Sequence, residues 1–175
     1  MSWVVVREGL LVTAAIVFLG LMVASGGRGE REQFVAYEAA GVMQASPASV
    51  QRVAVRSQSG EWVFTRAGQR WVLDDTPLAA ASEARLTTAL QYLHVTRPIR
   101  VLAADDATAL SEYGLVAPRL NVAIQVDDGR SSGFTFGDGT PVGGQQYVRV
   151  TGETDIYLLS DFIGAEWEAL VDALR

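Results

Sequence analysis

The sequence predicts an α+β fold: a single N-terminal transmembrane helix, then a mostly antiparallel β-sheet domain with two main packing helices. Three observations predict it. An uncharged apolar run lies near the start, short stretches with apolar residues at every second position recur after Pro47, and two stretches carry apolar residues at helical spacing. At 175 residues the chain holds one folded domain and an anchor, and is too short for two ordinary domains with separate cores.

The anchor is "GLLVTAAIVFLGLMVAS", Gly9 to Ser25. As a helix it spans roughly 26 Å, the short end of what crosses a bilayer. The run "WVVV" from Trp3 extends it, with Arg7 snorkelling to one interface and Trp3 among the headgroups. The rival reading is a cleaved signal peptide, because Val23, Ala24 and Ser25 put small residues before Gly26. Arg7 and the terminal amine on one side nearly balance Arg28 and Arg31 on the other, so charge orients the helix weakly. A short tail before a signal-anchor favours N-in, C-out. The expectation is therefore a single-pass protein of the bacterial inner membrane with a periplasmic C-terminal domain.

Residues 1–27 are assigned to this anchor, 28–48 to a juxtamembrane connector and 49–175 to the folded domain. Phe34, Tyr37 and Met43 have loosely helical spacing in the connector. It reads either as an interfacial helix docking on the membrane or a partner, or as a linker turn packed on its own domain.

Within the domain, Val50, Val53 and Val55 begin a strand, and "EWVFTR" and "RWVLD" follow across tight turns. Trp62 and Trp71 are expected to help bury one face. Thr76 and Pro77 read as a helix start, Thr as the cap and Pro at the first helical position. Leu86, Leu90 and Leu93 then form the stripe of a helix lying on a sheet. Pro98 stops it, and "IRVL" makes another strand. A short helix around Ala104 to Tyr113 follows, then strands "RLNVAIQV", "SSGFTF", "QQYVRV" and "DIYLL". The last helix is expected to be capped by Asp161, with Phe162, Trp167, Leu170 and Val171 as its apolar face.

Several chemistries are excluded or disfavoured. A net charge of −6 with no basic stripe argues against nucleic acid. The absence of cysteine removes thiolate nucleophiles, disulfides and Cys-ligated zinc. The loop "FGDGTPVGGQQYVRV" has glycines, but they lead into a strand and offer no helix N-terminus to a phosphate, and the lysine a P-loop requires is missing from the whole chain. It reads as a β-hairpin connection. His94, the single histidine, sits at a predicted helix C-terminus and is expected to meet terminal carbonyls. The Asp pairs at 74 and 75, 105 and 106, and 127 and 128 fall at turns or a helix start without the ligand ladder of an EF-hand. No G-x-S-x-G elbow surrounds a serine. No catalytic, cofactor-binding or metal-ligating residue is assigned, and the expectation is a protein without enzymatic activity. Arg97 and Arg100 around Pro98 are candidates to receive an acidic partner, and Trp3, Phe18, Phe34 and Tyr37 are candidate contacts nearer the N-terminus.

"EYGLVAPRLNVAIQV" followed by "FTFGDGTPVGGQQYVRVTGETDIYLLSDF" resembles the DUF4340 domain family, through Tyr113, Gly114, Leu115, Pro118, Gly137, Tyr147, Val148, Arg149 and Tyr157. The upstream "EWVFTRAGQRWVLDDTPLAAASEARLTTAL" is similar to the first unit of that family. The resemblance implies a membrane-tethered, extracytoplasmic domain with no established catalysis. Some members accompany ABC-transport components of gliding-motility type, in chains much longer than this one. Three functions follow as expectations. The first is an accessory or scaffold subunit of an inner-membrane complex, photosynthetic or respiratory among the hosts, contacting other integral membrane subunits and lipid. The second is an auxiliary component of an ABC-type transport or motility system. The third is a sensor that binds a small molecule in an apolar groove near Trp62 or Trp71.

Overall fold

Valines at every second position give the first strand its buried side. Val50, Val53 and Val55 of β1 (Val50–Ser57) are fully buried, and a register shift after Val50 accounts for the one odd step in their spacing. A computed structural model describes residues 41–103 and 107–175. The proposed anchor, with Trp3, Phe18, Phe34 and Tyr37, lies outside these residues, as do Asp105 and Asp106. Among the described residues no helix is long and apolar enough to cross a membrane.

The remaining strands are β2 (Gly60–Ala67), β3 (Arg70–Leu73), β4 (Thr76–Pro77), β5 (Arg100–Ala103), β6 (Leu120–Val126), β7 (Ser131–Gly139), β8 (Gln145–Val150) and β9 (Asp155–Ser160). They form one sheet in the order β4-β3-β2-β1-β6-β7-β8-β9-β5, with antiparallel neighbours. The helices are α1 (Ala80–Val95), α2 (Ala107–Glu112) and α3 (Phe162–Asp172). The fold is α+β, as the sequence predicts.

Register aligns the buried residues on one face. Val53 faces Phe64 and Ile124, Val122 faces Phe134, and Phe136 faces Val148. Against this face lie Leu86, Ala89, Leu90 and Leu93 of α1 and Ile163, Trp167, Leu170 and Val171 of α3. Arg85 of α1 and Glu166 of α3 pair at 3.0 Å. Trp71 is buried in this core, with the Arg66 guanidinium 4.9 Å from its ring centroid, while Trp62 is half-buried against it.

Three local expectations are corrected. Thr76 and Pro77 do not start a helix. Asp74 and Asp75 adopt positive φ, 48° and 62°, and turn the chain back so that Thr76 and Pro77 pair with Leu73 and Val72. The Leu78 N–H then donates to the Trp71 carbonyl, and α1 begins only at Ala80. The first turn of α1 carries Glu83, whose carboxylate accepts from the Trp71 N–H and from Arg70, fastening helix to hairpin. Asp161 occupies the position before α3 but makes no side-chain cap, because its own backbone is already helical. Phe162 is not on the buried face: it is 47% exposed and meets Tyr92 edge-to-face at 5.1 Å. Ile163 takes its place in the core.

The reverse face is covered near β8 and β9, where Ile156, Leu158 and Leu115 are buried apart from the main core. The segment around α2 accounts for this. Gly114, at φ 68°, ends α2, with Leu115 N–H donating to Leu110 O at 2.8 Å. The turn docks on β7 through Asp138 N–H and Tyr113 O, 2.9 Å apart, and Tyr113 stacks on Tyr147 at 4.3 Å between centroids. A Cβ at Gly137 would overlap the Tyr113 carbonyl oxygen, so the two backbones approach this closely only with glycine at that position. A Cβ at Gly139 would meet only the Gln145 carbonyl oxygen, at 3.6 Å, an ordinary contact. Gly137→Ala is therefore expected to lower stability by about 1–3 kcal/mol while Gly139→Ala leaves it nearly unchanged, read as urea midpoints.

Candidate interaction site

The glycine loop resolves into strand and turn. Phe136 to Gly139 belong to β7, a register shift follows Phe136, and the reversal itself is made by Gly143 and Gly144 at φ 80° and 73°. Buried Gln146 donates to Gly137 O at 3.2 Å and packs against Gly164 of α3, which ties the hairpin to the helix layer. This is a turn with structural partners, as its spacing predicts.

His94 lies at the end of α1, and its Nδ1 is 3.1 Å from the carbonyl of Met43, not from those of its own helix. The incoming chain is held there twice more, by Gly41 N–H to His94 O and Met43 N–H to Leu93 O. Val42 and Met43, from the stretch assigned to the connector, are buried in the domain core. Asp127 and Asp128 form the β6–β7 turn. Asp128 accepts from the Arg130 N–H and guanidinium, at 2.9 and 2.6 Å, and the backbone bond foremost holds its carboxyl below the usual value. Among the described residues no three metal-ligating side chains converge.

Surface depressions among the described residues include three. One of about 390 Å³ lies between Ser57, Ser59, Arg119 and the end of α3, where Arg119 pairs with Glu168 and Arg175 with Asp172. The others, about 270 and 160 Å³, lie on the open face of β1, β6 and β7, floored by Ala54 and Ala123. None is lined by Trp62 or Trp71.

The feature that solvent does not explain is at the end of the sheet. Among the described residues β5 is an edge strand, paired with β9 alone. Val101 faces Tyr157, whose neighbour Leu159 two residues on lies in the helix-side core, so Ile99 and Val101 share the helix side of the sheet. The helices leave them uncovered: Ile99 is 54% and Val101 51% exposed, and Phe162, at the start of α3, is exposed beyond the end of β9. Arg97 and Arg100 flank Ile99, both exposed, and neither forms an ion pair among the described residues. Of the six candidate contacts read from sequence, the structure brings these two together. The apolar partners Ile99, Val101 and Phe162 were not legible, since a strand's apolar residues reveal nothing of whether a helix covers them.

Tyr157 stands beside Val101 and donates its phenol proton to Glu153. Arg149 donates to the Glu153 carbonyl, so both residues clamp the β8–β9 turn. The bond to Glu153 foremost, then partial burial, pushes the Tyr157 phenol up to about 12 from 10.0.

Compared with known protein families, residues 71–175 match the family described as a domain of unknown function (DUF4340). Comparison with curated proteins and with solved structures finds no match.

A raised phenol pKa favours the protonated form in the folded state. Its contribution is full below pH 10 and lost as pH rises toward about 12. Ultraviolet titration is expected to show one tyrosine ionising near this upper value, and Glu153→Gln to return it toward the ordinary one.

Proposed function

The chain belongs to the DUF4340 family, and from that premise we propose that it is a non-enzymatic accessory or scaffold subunit of an integral inner-membrane complex. In this reading its N-terminal helix packs among other spans, and the domain holds partners on the extracytoplasmic side. The observation that carries the reading is the strip of Ile99 and Val101 at β5, both about half exposed beside two exposed arginines, with Phe162 of α3 also about half exposed past the end of β9. Exposed apolar side chains grouped together, with charge at their rim, mark a protein contact, whereas single ones need no explanation. Arginine suits such a rim because its planar fork pairs with a partner carboxylate in two places at once.

The sequence supports the membrane half of the proposal. The apolar run from Gly9 to Ser25 supplies the span. The non-enzymatic half rests on the fate of the candidates: the glycine loop is a hairpin, His94 holds a backbone carbonyl, and Asp128 is engaged by Arg130.

Mild-detergent purification of the full chain is expected to bring a defined set of membrane subunits with it. Ile99→Glu combined with Val101→Glu should reduce that recovery at least tenfold, while circular dichroism and urea midpoint stay near those of the unaltered chain, because both side chains are already half in water. Undiminished recovery from the double variant would contradict the assignment of this strip.

A further inference from the structure

We infer that β5 is a strand-addition site: an extended, acidic segment of a partner protein pairs with its open edge as a tenth strand. This rests on the proposed interaction role and specifies its mode. A sheet edge carries a row of N–H and C=O groups with no strand opposite, and folds ordinarily blunt it. The opposite edge is blunted. β4 is only two residues long, contains Pro77, and follows a turn made of Asp74 and Asp75.

Among the described residues β5 is short and begins with one charge, but it has no proline, bulge or covering element. It has four residues without proline or charged residues after Arg100, and pairs in unbroken register with β9 from Arg100 to Ala103. An added strand finds two kinds of side-chain contact there. On the helix side, Val101 and Ile99 offer an apolar strip with Phe162 beyond it. On the reverse side, Arg100 shares its face with Leu158; exposed Arg97 stands at the entry to the strand, before Pro98. Alternation along an incoming strand matches this division, with apolar residues on one side and carboxylates on the other. The charge complement selects an acidic segment over a basic one, because like charges placed opposite one another across strands repel.

The test uses the full chain in mild detergent and two synthetic probes of about six residues, a common strand length. One alternates valine with glutamate, the other valine with lysine. Hydrogen exchange of the Arg100–Ala103 amides is followed with each probe. The glutamate peptide should slow exchange in β5 and the lysine peptide should not. In Arg97→Glu combined with Arg100→Glu, affinity for the glutamate peptide should fall about tenfold, the sum of two exposed ion pairs, and the lysine peptide should gain. Both arginines are exposed, so the variant keeps its fold.

Equal protection by both peptides, or by neither, overturns the proposal. So does protection already complete before any peptide is added, which would place another part of this chain on the edge. Concentration-dependent dimerisation that slows the same amides would replace the acidic partner by a second copy, and equally overturn it. Failure here with partner recovery still dependent on Ile99 and Val101 sinks strand addition alone. Selective peptide binding without any recovered subunit sinks the scaffold reading and leaves the edge chemistry standing.

Discussion

Two helices cover one face of a sheet too wide for them. α1 and α3 together bury β1, β2, β3 and β6 to β9, through Leu86, Leu90, Leu93, Trp167 and Leu170. That contact holds the main core, because antiparallel strands with one apolar face are stable only when something dry lies on it. The helices run out before β5, so the last strand keeps its backbone pairing to β9 but leaves Ile99 and Val101 in water. The domain's exposed corner is thus a consequence of how its core is built.

The residues that carry the resemblance to the family serve the same architecture from the reverse side. Tyr113, Gly114 and Leu115 end α2 and lay the turn on β7 at Gly137, and Tyr147 receives the ring of Tyr113. Arg149 and Tyr157 both engage Glu153 and shape the turn before β9. β9 in turn supports β5. These residues therefore position the edge without occupying it.

Much of the fold was legible because its signals are local. Valines two apart, leucines three and four apart, and glycines at reversals each report a backbone conformation without reference to distant residues. Thr76 and Pro77 misled because the same pair suits a helix start or an edge bridge, and the choice was made by the turn at Asp74 and Asp75 and by Glu83 bonding to Trp71. Phe162 misled because it is large and apolar beside the stripe, yet with 3.6 residues per turn it points away from Trp167 and Val171, and Ile163 lies on their face. The arginines at 97 and 100 were visible as unassigned charge. Their apolar companions became visible only with the order of strands, since β5 pairs with the much later β9 and stands outermost.

The central claim is that the β5 corner faces another protein. A photo-reactive amino acid placed at Val101 in the full chain, in native membranes, tests it most directly, with exposed Gln69 in the β2–β3 turn at the far side of the sheet as the comparison site. The account predicts a crosslink to one defined membrane-complex subunit from Val101 and none from Gln69. Crosslinking to that subunit from Gln69 but not from Val101 would contradict it, as would the absence of any protein adduct at Val101.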